Sequence, residues 1–205
     1  MPQPGIPPEP VESLSLIGKA DWAASRYARE LSTLDKGGPR VARFISITLT
    51  KRNVSCRARL LEDQAPRTCA AVWDALPVAG QAYHGKYARN EVYTLLPPLG
   101  APGRENSTVT PIPGDVCFFG FEASEIGNPA YGYDEGSEAH SPQGATDLAI
   151  FYGRNNLLIN GDVGWVPGNV FATIEEGLSG IAAACSDLWL SGAVGEQLAF
   201  ARAHG

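Results

Sequence analysis

The strict alternation of apolar residues between Phe44 and Leu60 constrains the fold more than any other stretch. In Phe44-Ile45-Ser46-Ile47-Thr48-Leu49-Thr50, Ile45, Ile47 and Leu49 share one face, the period-2 pattern of a half-buried strand. Lys51-Arg52-Asn53 supplies a turn. Val54, Cys56, Ala58 and Leu60 then alternate against Ser55, Arg57 and Arg59. The pattern predicts an antiparallel hairpin with one apolar and one charged face, and the apolar face needs a second layer to cover it.

The following residues suit that cover. Asp63 is expected to cap a helix, Pro66 sits in its first turn where a missing amide hydrogen costs little, and Pro77 ends it. Ala65, Cys69, Val72, Trp73 and Leu76 recur at helical spacing and form the stripe that packs on the strands.

A chain of 205 residues suits one domain with an elaboration. No apolar run reaches the roughly 18 to 20 residues needed to cross a bilayer, so no membrane partner is expected. The amino terminus is polar and proline-rich, without the basic start and apolar block of a secretory signal, and a cytoplasmic location is expected. A net charge of -6 argues against a nucleic-acid surface, which neutralises phosphates with clustered Lys and Arg. The denser basic group, Lys51, Arg52, Arg57 and Arg59, reads as the solvated face of the hairpin. Cys56, Cys69, Cys117 and Cys185 show no C-x-x-C spacing and read as buried, reduced thiols. Cys117 is the one considered as a nucleophile, without a base near it in sequence.

Two domains are expected: residues 1–40, a proline-rich arm with a helix over Val11 to Leu34, and residues 41–205, the main domain. The arm either packs on its own domain or exchanges with a neighbouring subunit to make a homo-oligomer. Within the main domain, Val78 to Asn90 reads as a polar and aromatic loop carrying Tyr83, His84 and Arg89, the kind of segment on which a rigid scaffold places binding groups. It leads into a strand, Glu91 to Leu96. Alternation puts Arg89 and Glu91 on one side of that strand, as a structural ion pair or as part of a site.

Val116 to Phe121 and Asp147 to Gly153 read as apolar strands. Between them, Glu122 to His140 carries Glu122, Glu125, Asp134, Glu135 and Glu138 without the ligand spacing of a calcium loop. This segment is a solvated loop or, through Tyr131, Tyr133 and His140, a lid over a pocket. A strand over Asn169 to Ile174 runs into a helix striped by Leu178, Ile181, Ala182, Cys185, Leu188 and Trp189, and Glu196 to Ala201 forms a last strand. About eight strands and two helices point to a mainly β protein, a closed antiparallel barrel capped by helices.

In this arrangement Ala65-Pro66-Arg67-Thr68 opens the first helix, and Val170-Phe171-Ala172-Thr173-Ile174-Glu175-Glu176-Gly177 precedes the second. With Pro113-Gly114-Asp115-Val116 and Ile150-Phe151-Tyr152-Gly153, these phrases resemble bacterial and archaeal cyclophilin-like proteins of unassigned function. The resemblance covers Phe44 to Ala201 and implies a cyclophilin-like barrel. It also implies a proline-isomerase groove, with Arg89 as the hydrogen-bond donor and Phe118, Phe119 or Tyr152 as the apolar cup. The sequence departs from cyclophilin there, with Asn90-Glu91-Val92-Tyr93 at the groove and no Gln-Gly-Gly after it.

The residues carry no nucleophile elbow, H-E-x-x-H, P-loop or dinucleotide fingerprint, so no cofactor is expected. A three-histidine metal site would have to enlist His204; a mixed His84, His140 and Glu91 set is the remaining metal option, and none is expected. Three readings stand. The first is a binding protein that takes a small molecule or peptide in a barrel-flank pocket formed with Tyr83, His84, Arg89, Asn90, Glu91, Tyr93, Phe118, Phe119, His140 and Tyr152. The second is an enzyme, either a weak peptidyl-prolyl isomerase or a small-molecule hydrolase or lyase using His84 or Glu91 as base and Arg89 to hold an anion. The third is an assembly protein whose arm drives oligomer formation.

Overall fold

The computed structural model describes residues 42–123 and 125–203. The expected amino-terminal arm and its helix lie outside the described residues. The elements run β1 (Phe44–Leu49), β2 (Val54–Leu60), α1 (Pro66–Ala75), β3 (Val78–His84), β4 (Glu91–Leu96), β5 (Ser107–Thr108), β6 (Asp115–Phe121) and β7 (Ala145–Phe151). They continue with β8 (Ile159–Asn160), β9 (Gly164–Trp165), β10 (Gly168–Glu176), α2 (Leu178–Ser191) and β11 (Gln197–Ala203).

β1 and β2 form the expected hairpin, with Ile47 opposite Cys56 and Leu49 opposite Val54. The sheet continues from β1 through β11, β3, β4, β7, β6 and β10, and the β10–β2 pairing closes it into an eight-stranded barrel of antiparallel strands. Closure satisfies the edge groups that an open sheet would leave exposed. Ile45, Ile47, Leu49, Ala58, Val92, Leu148, Ile150, Phe171, Leu198 and Phe200 fill the interior. Phe171 is fully buried, and its truncation to alanine would cost about 3–5 kcal/mol.

The helices close opposite ends. α1 follows the last residue of β2, whereas Gly177, which leads into α2, packs against Ser55 and Cys56 at the start of β2. α1 buries Thr68, Cys69 and Val72, and α2 buries Ile181, Ala184, Cys185 and Leu188. Trp189 departs from the expected stripe: it is 61% exposed.

Two local expectations are corrected. The α1 amino terminus has no side-chain cap from its own segment, and Asp63 is exposed. Glu105 caps it instead, accepting from the amides of Arg67 (3.2 Å) and Thr68 (2.8 Å) and from the Thr68 hydroxyl (2.9 Å). The segment from Val78 is not a loop as far as Asn90: Val78–His84 is β3, paired with β11 and β4. Its glycine and alanines disfavour a strand by propensity, but a side chain at Gly80 would collide with Thr94 Oγ1, so the close approach of β4 demands that residue.

The charged face of the hairpin is paired across strands and to α2. Arg57 reaches Glu176 at 2.7 Å, Arg59 reaches Glu175, and Arg52 bridges Asp187 and the buried Glu196.

Candidate functional site

The same alternation that sends Val92, Leu148 and Ile150 into the barrel sends a second set of side chains outward from β4, β7 and β6. Glu91, Tyr93 and Leu95 project from β4, Asp147, Ala149 and Phe151 from β7, and Cys117, Phe119 and Phe121 from β6. This outer face is buried, because the connection 122–144 and the segment 154–167 fold over it. β7 is therefore buried at all seven residues.

Between face and cover lies a cavity of about 110 Å³. Glu91, Tyr93, Asp147, Phe119 and Phe121 form its strand side, and Ile126, Tyr131, Tyr133, Leu158 and Asn160 line the cover side. The Tyr93 and Tyr133 hydroxyls hydrogen-bond at 2.7 Å, Tyr83 stacks on Tyr93 with centroids 5.4 Å apart, and Tyr133 meets Tyr83 edge-on. The Tyr131 hydroxyl donates to the Asp162 carboxylate and lies 2.8 Å from Asn160 Oδ1, and the Lys86 ammonium donates to the Tyr131 carbonyl. Gly85 makes room for the Glu91 carboxylate, since any side chain there would strike Glu91 Oε2.

Glu91 and Asp147 are the unusual members. They are 8% and 7% exposed, and among the described residues neither forms an ion pair within 4 Å. Asp147 Oδ1 has no hydrogen-bond partner. Burial pushes the Glu91 carboxyl up to about 8; it also drives Asp147 well above the carboxylate range, with the Glu91 charge adding to the effect. The pair therefore retains a proton at neutral pH. Glu196 shows the contrast: it is 1% exposed yet accepts from the Lys51 amide at 2.7 Å and from Arg52 at 2.8 Å.

The structure divides the site residues expected from sequence. Glu91, Tyr93 and Phe119 line the cavity, and Tyr83 braces Tyr93. Arg89 does not share a strand face with Glu91: β4 begins only at Glu91, Arg89 occupies a left-handed turn (φ 70°), and its side chain is exposed. His84 follows Tyr83 on β3 and so faces the other way. Its Nε2 lies 2.6 Å from the Tyr152 hydroxyl and its ring 4.8 Å from that of Trp189 on α2. Burial lowers the His84 pKa, against a raising hydrogen bond to the Gly85 carbonyl. Asn90 ties down the next connection through Asn156 and Arg154, and Phe118 points into the barrel core.

His140 borders a separate cleft with Glu125, Asn128 and Asp162, so the tyrosine pair covers the cavity without it. The mixed His84, His140 and Glu91 set is thus dispersed; of the expected isomerase groove, Arg89 is exposed, Phe118 lies in the barrel core and Tyr152 packs against that core and pairs with His84. Cys117 is fully buried. Burial raises its thiol pKa well above the ordinary value and the Asp115, Glu91 and Asp147 charges add to this, leaving an unreactive thiol.

Asp147 is the site residue that sequence reasoning missed. Its one signal was a carboxylate inside the otherwise apolar run Leu148-Ala149-Ile150-Phe151 and its flank.

No curated protein gives a significant match. Among solved structures, McbB in complex with tryptophan is similar over 78% of this chain and 45% of its own, with 16% identity and a TM-score of 0.55. The chain thus spans less than half of McbB, and at that identity the likeness concerns the fold alone. A hypothetical protein from Archaeoglobus fulgidus, solved in solution, aligns over 82% of this chain and all of its own at 22% identity, with a TM-score of 0.44. The family model described as protein of unknown function (DUF3830) matches residues 47–200, well over half of the 205, and the chain belongs to that family.

Proposed function

We propose that this protein is a cyclophilin-like barrel that binds a small organic molecule in the cavity on its β4–β7–β6 flank. The observation that carries the reading is a cavity walled by tyrosine and phenylalanine into which two buried carboxylates are turned. Ligand sites are mostly apolar hollows with a few convergent polar groups and perturbed pKa values, and this cavity has both. That McbB holds tryptophan supports a small-molecule ligand rather than a peptide.

A thermal-shift screen of metabolites tests it, since a ligand held only by the folded state at a hundred times its Kd adds about 2.7 kcal/mol of stability. Ala88 lines the cavity and is 6% exposed, so Ala88→Phe fills the space. The expected outcome is a stabilising ligand whose effect disappears in Ala88→Phe. A shift that persists in that variant would place the ligand elsewhere and end the proposal.

A second reading, a hydrolase or lyase, is favoured by the Glu91 carboxyl being poised near neutral pH, where a general acid or base works best. In that reading Asp147 takes the part expected of His84, which faces away from Glu91.

A further inference from the structure

Among the described residues three carboxylates are buried: Glu91, Asp147 and Glu196. Glu196 shows how this chain neutralises one, with a guanidinium and two backbone amides at 2.7–3.1 Å. The cavity pair has no such complement. An isolated buried carboxylate costs several kcal/mol, so two on one wall, one with an orphaned oxygen, mark an incomplete constellation.

The surroundings define what completes it. The rings of Tyr93, Phe119, Phe121, Tyr131 and Tyr133 border the same space, and aromatic faces attract cations. Lys86, a cation that lines the cavity, gives its ammonium to the Tyr131 carbonyl and is not paired with either acid within 4 Å. A divalent metal is a poorer fit: hard cations take six or more oxygens, and the described residues hold no cluster of three or more His, Cys, Asp or Glu suited to one. The 110 Å³ is smaller than the roughly 150 Å³ apolar cavity that admits benzene, which limits the inserted group to a short stem.

We infer that the ligand of this cavity is a small organic ammonium, which gives its N–H groups to Asp147 and Glu91 and lays its stem among Phe119, Phe121 and the tyrosines. This rests on reading the cavity as a ligand site. It adds the sign of the ligand's charge and the two residues that recognise it.

The test is titration of the full chain with isobutylamine and propylamine against isobutanol and propanol, followed by calorimetry and ligand-observed NMR. Charge-assisted hydrogen bonds are about twice as strong as neutral ones, so each amine is expected to bind at least about tenfold tighter than its alcohol. In Asp147→Asn and in Glu91→Gln the preference should fall to about threefold or less while the alcohols still bind. Both variants put a neutral amide of the same shape in place of a buried acid whose proton the burial favours, and are expected to fold; if one does not, the wild-type comparison decides alone. Equal affinity for amine and alcohol, sensitive to Ala88→Phe, would overturn the ammonium assignment and leave the cavity reading standing. Displacement of the amines by sub-millimolar Mg²⁺ or Ca²⁺ would overturn it in favour of a metal. An absence of binding by all four probes would overturn it as well, and the metabolite screen then decides the cavity reading separately.

Discussion

The phenol of Tyr93, on a barrel strand, is hydrogen-bonded at 2.7 Å to the phenol of Tyr133, on the connection that covers it. Forty residues separate them in sequence, and this bond fastens the cover to the barrel. Tyr133→Phe leaves the Tyr93 hydroxyl, in a largely buried setting, without its partner, at an expected cost of about 1–2 kcal/mol. The melting temperature should drop by a few degrees, and amide exchange at residues 129–135 should quicken while β1 and β2 are unaffected. Unchanged exchange there would mean that the bond does not hold the cover.

Stability should fall as pH rises from 7 to 9. In the unfolded chain Glu91 and Asp147 ionise near their ordinary values of about 4.3 and 3.9, whereas in the native state both are raised, Glu91 to about 8. The native state therefore binds more protons across this interval, and the stabilisation, complete below the unfolded values, is lost as the pH passes the native ones. Tyr93, Tyr133 and Cys117, which face the pair, have raised pKa values and remain neutral here; Asp115 and Lys86 are the other charged groups nearby. His84 and Glu105, whose pKa values are lowered, act below this interval. Urea midpoints should decline between pH 7 and 9 in the wild type and decline less in Glu91→Gln, where Asp147 and, above about pH 8, the buried thiols still hold protons that the unfolded chain releases. A rising wild-type midpoint would contradict the placement of the pair.

Glu105→Ala should cost about 1–2 kcal/mol by chemical denaturation, because it removes the cap of α1, and Asp63→Ala should cost a few tenths at most. Burial works against the Glu105 charge, but the amides of Thr68 and Arg67 more than offset it and leave the pKa lowered. The Glu105 contribution should consequently fade in acid. The reverse ranking of the two variants would restore the local cap.

The four cysteines should resist a thiol reagent in the native protein and react together on unfolding. All are buried and unpaired in disulfides, and burial pushes Cys56, Cys69 and Cys185 up to about 12. Labelling followed by mass spectrometry gives the count; one fast thiol under native conditions would show a local opening around it.

The hairpin, the first helix and the barrel were legible because their signals are local: Ile45, Ile47 and Leu49 alternate, and Cys69 and Val72 recur at helical spacing. The cap of α1 was not, because Glu105 lies 37 residues from Thr68. β3 was hidden by Gly80, whose requirement comes from β4 and not from its own neighbours. Of the two cavity acids, Glu91 carried a signal in the sequence, as a charge at the start of a strand. Asp147 did not stand out, because a strand buried on both faces loses the polar alternation that separates core from surface. Arg89 misled for a related reason: alternation was carried one turn beyond the strand into a left-handed residue.

The cavity takes its acids from strands whose reverse sides hold the barrel together, whereas its cover comes from connections outside the barrel. Replacing Tyr131 or Ile126 can change which stem is admitted with little effect on the scaffold, but moving Glu91 or Asp147 would disturb the packing of Val92 and Leu148 behind them. Relatives that diverged under selection for new ligands would thus be expected to keep their anionic anchor and exchange the roof above it.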